Sequence, residues 1–240
     1  QGLRFDTVFI GGGTPSLLPS GWLERLMDGL RPLLDLEPAE FAVEANPGTV
    51  DREKLLSFRR MGADRLSFGV QAAQDRLLRR IGRIHGWEDF VRSYRLAREA
   101  GFQNINADMM TGLPGQTVHD AADTARKLAD LGVEHVSCYG LIVEEGTPLA
   151  KAMEKGDESL PDGDSEREMF HAARRVLEAD GLKRYEISNF ARPGRECRHN
   201  LNYWRNGDWL GLGLGAASHF GGRRRENRCD LDGYLAALEA

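Results

Sequence analysis

Short apolar runs alternate with longer amphipathic stretches along most of this chain. Asp6–Ile10, Glu40–Ala45, Arg65–Val70, Phe102–Asp108 and His135–Leu141 are dominated by residues that suit a covered, pleated surface, and they predict buried strands. A further strand is expected near Arg184–Ser188. Helical spacing fills the intervals, at Gly21–Leu34, Asp51–Met61, Trp87–Ala100, Thr117–Leu131 and Ser165–Asp180. The first of these reads with Ser20 as N-cap and with Trp22, Leu23, Leu26, Met27, Leu30, Leu33 and Leu34 on one face. Gly101, Gly132 and Gly181 stand just past helices, where a left-handed residue ends the turn. Strand starts recur every ~25–40 residues, the length of a βα unit, which predicts a parallel sheet wound by helices.

Polar and glycine residues stand where these strands end. Gly11–Thr14 leave the first strand, Glu44 and Asn46 the second, Gln71 the third, Asp108 the fourth, and Tyr139 with Gly140 the fifth. A barrel gathers one group from each strand at its C-terminal mouth, whereas an open doubly wound sheet concentrates them at a single crevice. The even distribution favours a barrel. In the loop Gly11-Gly12-Gly13-Thr14-Pro15-Ser16, three glycines leave bare backbone that a small molecule can approach. The same loop also reads as a tight βα turn.

The other strand ends are equally two-sided. Glu44 and Asp108 are either ligand acceptors or partners of a buried arginine. Gln71 either faces the mouth or caps the next helix. Arg83 is ordinarily a solvated loop charge, but an arginine facing the mouth matches a ligand carboxylate with its planar fork. Asp108–Thr117 reads as a βα loop with a turn at Pro114-Gly115.

Composition narrows the class. With 240 residues, 41% of them hydrophobic, the chain can bury one sizeable core. A net charge of −5 argues against nucleic acid as the main partner. No apolar run reaches the ~18 residues of a membrane span. Three cysteines, Cys138, Cys197 and Cys229, are too scattered for a disulfide framework or a tight metal cluster. A cytoplasmic α/β protein is expected.

Taken in order, Gly11–Ser16, Val43-Glu44-Ala45-Asn46-Pro47, Ser67-Phe68-Gly69-Val70-Gln71, Gly82-Arg83, and Asp108 with Gly112–Thr117 resemble the radical S-adenosylmethionine proteins of the oxygen-independent coproporphyrinogen III oxidase family. The resemblance runs nearly end to end. It implies a partial (β/α)6, TIM-like barrel with a more irregular C-terminal region, carrying a 4Fe–4S cluster and S-adenosylmethionine at its mouth. Position by position, Gly12 and Glu44 fall where the family touches the cluster-bound S-adenosylmethionine. Gly13, Thr14, Gln71, Arg83 and Asp108 fall where the oxidases bind a second one. The family's CxxxCxxC cluster motif is absent from the sequence. The chain starts at Gln1, and the expectation is a fragment lacking the first βα unit and its cluster cysteines. Residues 1–156 would then form the barrel core, and 157–240 the last barrel elements and the start of the C-terminal region, with acidic Asp157–Asp164 as linker.

Cys197-Arg198-His199-Asn200-Leu201-Asn202-Tyr203-Trp204 resembles the HemW-type branch of that family, described as heme chaperones, more than the oxidases. His199 offers an imidazole for heme iron, and Tyr203 shares its face if the segment is helical. With Trp204 they would give a flat apolar surface for a porphyrin. The plainer alternative is a hydrogen-bonded core histidine. Cys197 is the weaker ligand candidate. Arg223–Arg225 after Gly221-Gly222 would either meet porphyrin propionates or form a solvated hairpin tip, and His85 and His219 receive no role. Two functions follow from the resemblance: delivery of heme to apo-haemoproteins, or oxidative decarboxylation of coproporphyrinogen III through a 5′-deoxyadenosyl radical. Whether the protein is an enzyme stays open.

Overall fold

The computed structural model describes residues 4–239, with the backbone alone for residues 35–39. The chain divides into two compact units, one running to Glu196 and the other starting at Cys197.

The first unit alternates strand and helix. In order it contains β1 (Arg4–Ile10), α1 (Trp22–Leu30), β2 (Asp35–Ala45), α2 (Arg52–Arg60), β3 (Arg65–Gln71), α3 (Asp75–Arg80) and α4 (Trp87–Glu99). There follow β4 (Ile105–Thr111), α5 (Val118–Leu131), β5 (His135–Gly140), α6 (Pro148–Glu154), α7 (Gly163–Ala179), β6 (Lys183–Arg184) and β7 (Asn189–Ala191). The sheet curls into a half-barrel of order β1-β2-β3-β4-β5-β7-β6. β1 to β5 are parallel neighbours in chain order. β7 joins β5 antiparallel, and β6 joins β7 antiparallel.

Several boundaries differ from expectation, β2 starting at Asp35 and α1 ending at Leu30 among them, and three differences have a local reason. β4 starts at Ile105, not Phe102, because the Gly101 and Phe102 amides turn back to Arg98 O and Ala97 O to close α4. Phe102 is buried as part of that cap. The strand expected at Arg184–Ser188 is instead the bend between β6 and β7, closed by Tyr185 N–H to Asn189 O at 3.1 Å. Gly21, not Ser20, caps α1. Leu23 and Met27 of its expected apolar face are buried, whereas Trp22, Leu26 and Leu33 are exposed. α5 is held at both ends, by the reciprocal Thr117–Asp120 capping box and by Gly132 at φ +75°.

Phe68 from β3 meets Phe90 from α4 edge to face at 5.9 Å, in the core between sheet and helices. Near the N-terminal ends of β4 and β5, Arg98 ties the frame together. Its guanidinium reaches Glu134 Oε1 at 2.6 Å, Tyr94 Oη at 2.7 Å and the carbonyls of Phe102 and Gly132. Every residue of β3 is buried, including Arg65, Ser67 and Gln71, so these polar groups must find partners inside.

The second unit contains α8 (Arg198–Trp204), the antiparallel pair β8 (Ala217–Phe220) and β9 (Arg223–Glu226), and α9 (Leu231–Glu239). Gly221 and Gly222 make the turn, and Arg223–Arg225 lie exposed on β9.

Candidate functional site

The loop after β1 is fastened to the end of β2, which makes it a fixed platform rather than a free turn. Thr14 Oγ1 donates to Gly13 O and accepts from Asn46 Nδ2 at 3.0 Å. Ser16 Oγ lies 2.5 Å from Thr49 Oγ1 and accepts the Asn46 N–H. Lys54 Nζ donates to Ser16 O. The three glycines do different work. A Cβ on Gly11 would lie 2.9 Å from the Glu44 carboxyl and 2.5 Å from Phe9. Gly12, at φ +112°, turns its N–H onto Glu44 Oε2 at 3.2 Å. Gly13 faces open space.

A second group converges over Gly69. A Cβ there would lie 3.0 Å from both Asn46 Oδ1 and Gln71 Nε2, and 3.5 Å from Arg83 Nη2. Arg83 Nη1 donates to Asn46 Oδ1 at 3.2 Å. Gln71 reaches this place through a bulge: the β3–β4 register slips between Gly69 and Gln71, and Gln71 takes φ +68°. A left-handed glutamine costs ~1–3 kcal/mol and persists only where its surroundings impose it. Gln71 caps no helix. Its buried Oε1 has no hydrogen-bond partner among the described residues, a state that costs ~1–3 kcal/mol.

Charge completes the mouth. Burial, and then the nearby Asp108 charge, push the Glu44 carboxyl above its ordinary value. Burial also raises Asp108, against hydrogen bonds from Asn106, Ser137 and Ser67. Arg83 is half-buried, with no ion pair among the described residues; burial lowers its pKa, and Tyr139 and Asp108 oppose the shift. Tyr139 is raised by burial and by Asp108. The mouth therefore holds two carboxyl groups whose charge burial disfavours, one arginine with no ion pair among the described residues, and an orphaned amide oxygen. It suits a small zwitterion: cation to the carboxylates, carboxylate to the arginine, N–H to Gln71.

The second unit carries an aromatic ladder. His199 Nε2 lies 2.8 Å from Tyr203 Oη, one helical turn on. Tyr203 meets Trp209 edge to face at 4.7 Å, and Trp209 lies 5.0 Å from His219. Arg224 sits over the Trp209 ring at 5.9 Å. Trp204 is half exposed and makes no ring contact among the described residues. Trp209 takes the place beside Tyr203, brought there by the antiparallel bridge Trp209–His219. Residues distant in sequence meet through that bridge, so spacing alone could not have found Trp209. His219, given no role from sequence, bonds Gly207 O through Nδ1 at 2.9 Å. His85 is buried, and its Nε2 has no partner among the described residues.

The sequence model of the Radical SAM superfamily matches residues 2–128, just over half of the chain. This chain belongs to the radical SAM superfamily. It is 46% identical over 233 residues to the heme chaperone HemW of Bacillus subtilis (strain 168), covering 95% of this chain and 61% of that protein. It is 42% identical over 217 residues to HemW of Escherichia coli (strain K12), covering 90% and 56%. Among solved structures it resembles coproporphyrinogen III oxidase, HemN, from Escherichia coli, with a TM-score of 0.83 at 26% identity, covering 98% and 57%. The chain thus spans less than two thirds of the length of these relatives.

Membership of the radical SAM superfamily implies S-adenosylmethionine and a 4Fe–4S cluster. The mouth of this radical SAM protein fits the first, a zwitterionic sulfonium whose charges match the donors and acceptors above. It does not fit the second. Among the described residues no group of three or more His, Cys, Asp or Glu side chains is placed to hold a metal. Cys138 is buried and inert, its thiol pushed up to about 12 by burial, and Cys197 and Cys229 belong to the other unit. Among the described residues no helix is long and apolar enough to cross a membrane.

Proposed function

We propose that this chain is part of a radical SAM heme chaperone, which binds S-adenosylmethionine at the barrel mouth and heme on the second unit. The observation that carries the heme reading is the His199–Tyr203–Trp209–His219 ladder in a chain 46% identical to a protein named heme chaperone HemW. An imidazole beside a wall of aromatic edges offers iron a ligand and a porphyrin plane an apolar support. Leu210, Leu212 and Leu214, in the segment after Trp209, are exposed as well. His199 is the iron ligand in this reading. Heme is cargo, passed on to apo-haemoproteins.

At the mouth, Gly12, Gly13 and Thr14 offer backbone and hydroxyl contacts. Glu44 and Asp108 accept from the amino and ribose groups, Arg83 clamps the amino-acid carboxylate, and Gln71 takes an N–H. S-adenosylmethionine supplies, when bound, a sulfonium that can be reductively cleaved. The role of the residues themselves is to hold it in one orientation and away from water. Support comes from the orphaned Gln71 Oε1 and from Arg83, which has no ion pair among the described residues.

The second reading, oxidative decarboxylation of coproporphyrinogen III, is favoured by the likeness to HemN. One experiment separates the two. Heme titrated into the protein gives a shifted Soret band that His199→Ala abolishes, with folding checked by circular dichroism, and coproporphyrinogen III is not consumed. Turnover of coproporphyrinogen III would overturn the chaperone reading, and unchanged heme binding in His199→Ala would remove His199 as ligand.

A further inference from the structure

Behind Asp108 a line of buried polar groups crosses the sheet interior, and its hydrogen-bond directions can be assigned one by one. Asn106 precedes Asp108 by two residues on β4, so both side chains share a face. Asn106 Nδ2 lies 2.7 Å from Asp108 Oδ1 and 2.7 Å from Ser67 Oγ. An amide nitrogen only donates, so both its protons are spent there. Asn106 Oδ1 is the acceptor, facing Ser137 Oγ at 3.2 Å and His135 Nδ1 at 2.6 Å. His135 Nδ1 therefore carries the proton.

That assignment fixes the rest. His135 is buried and stays neutral, its pKa held well below the ordinary value by burial and then by Arg65. Its Nε2 is the lone-pair nitrogen and accepts from Tyr185 Oη at 2.9 Å. Ser67 Oγ, having accepted from Asn106, donates to Asp108 Oδ2 at 3.4 Å. Both carboxylate oxygens thus receive a donor from behind. Tyr185 sits in the bend between β6 and β7, at the far end of the sheet from the glycine loop.

We propose that Tyr185, His135 and Asn106 form a one-directional hydrogen-bond relay that positions Asp108 as an acceptor toward a ligand at the mouth, so that the β6–β7 hairpin tunes ligand affinity. The proposal rests on the reading of the mouth as an S-adenosylmethionine site. Tyr185, His135 and Asn106 are positioning residues, because of these four only Asp108 touches the ligand. The other groups that act on Asp108 or share its site are Glu44 on β2, Arg65 and Ser67 on β3, Arg83 after α3, and Ser137 and Tyr139 on β5. None of them bonds Nε2 of His135, which meets Tyr185 Oη alone among the described residues.

Two measurements test the relay. In calorimetric titrations with S-adenosylmethionine, His135→Phe, which keeps the ring and removes the donor, weakens binding about tenfold. Tyr185→Phe weakens it about threefold. His135→Asn, which retains an N–H near the Nδ1 position, restores most of the affinity. Equal losses in His135→Asn and His135→Phe reduce the role to packing and overturn the relay. So does unchanged affinity in all three while Asp108→Asn loses binding. If Asp108→Asn also binds normally, the reading of the mouth fails instead. Independently of any ligand, 15N NMR of labelled protein shows His135 as the neutral Nδ1–H tautomer. An Nε2–H tautomer overturns the relay outright.

Discussion

The Glu44 carboxyl lies 2.9 Å from the point where Gly11 would carry a Cβ, and its Oε2 accepts the Gly12 N–H. Gly11 is thus a glycine because of Phe9 and Glu44, not because of its own dihedral angles. Gly11→Ala pushes Glu44 or Phe9 aside and costs ~1–3 kcal/mol, and it weakens S-adenosylmethionine binding. Gly13→Ala, with no protein atom within 4 Å of the added Cβ, leaves stability unchanged. Thermal denaturation and calorimetric titration of the pair check the contrast, and equal behaviour of the two variants would be the contrary result.

Affinity for a cationic ligand at the mouth rises with pH. Glu44 and Asp108 both have pKa values raised above 4.5 and 3.8, first of all by burial. Folding therefore favours their protonated forms. The stability they contribute is fully present below the ordinary values and is lost as pH rises through the raised ones. The sulfonium ligand needs the ionised forms, so its binding strengthens over that same interval. Glu44→Gln keeps an acceptor for Gly12, stabilises the unliganded protein at neutral pH and flattens the rise. A binding curve that stays flat with pH in the unmodified protein would contradict this.

Acid weakens the fold through His135. Its folded pKa is well below the ordinary 6.5, because burial disfavours the charged form and Arg65 adds to the effect. Below pH 6.5 the unfolded chain takes up a proton that the folded chain refuses. Stability then falls by ~1.4 kcal/mol per pH unit until the folded value is reached. Denaturant titrations across this interval show a shallower fall in His135→Asn.

Removing Arg98 tests the frame without touching the mouth. Arg98→Met takes a donor from Glu134, Tyr94 and the carbonyls of Phe102 and Gly132 and costs ~2–3 kcal/mol in chemical denaturation. S-adenosylmethionine affinity stays within about twofold.

In the second unit, Trp209→Leu weakens heme binding about tenfold, whereas Trp204→Leu leaves it nearly unchanged. The difference follows from the ladder, which includes Trp209 and not Trp204. Soret titrations of both variants read it directly.

Much of the frame was legible in sequence because its periodicities are long and clean. β3, β5, α2, α4 and α5 fall within a residue or two of their expected bounds. α3 was not, since Asp-Arg-Leu-Leu-Arg-Arg has only two apolar positions, and β6 and β7 are too short to show alternation. At the mouth the structure brings together Gly12, Thr14, Glu44, Gln71 and Asp108, marked out by their place at strand ends, and Arg83, a loop residue after α3 that only the family resemblance pointed to. The relay behind them went unread. Its signal was there: Asn106 and Asp108, like His135, Ser137 and Tyr139, are polar at alternate positions of strands otherwise buried. The register pairs Ser67 with Asn106, Asn106 with His135 and Asp108 with Ser137. Polar residues at period two inside a covered strand mark a shared interior wall.

The half-barrel sheet is asymmetric at its two margins. One ends in the two residues of β6, turned antiparallel, and the other in the seven residues of β1. A two-residue strand gives an incoming chain almost nothing to pair with, whereas β1 forms a seven-residue margin of the sheet among the described residues. Amide hydrogens should therefore exchange with solvent along a gradient, slowest in β3 and β4 and fastest along the outer side of β1. Any enlargement of the sheet has one direction in which to go.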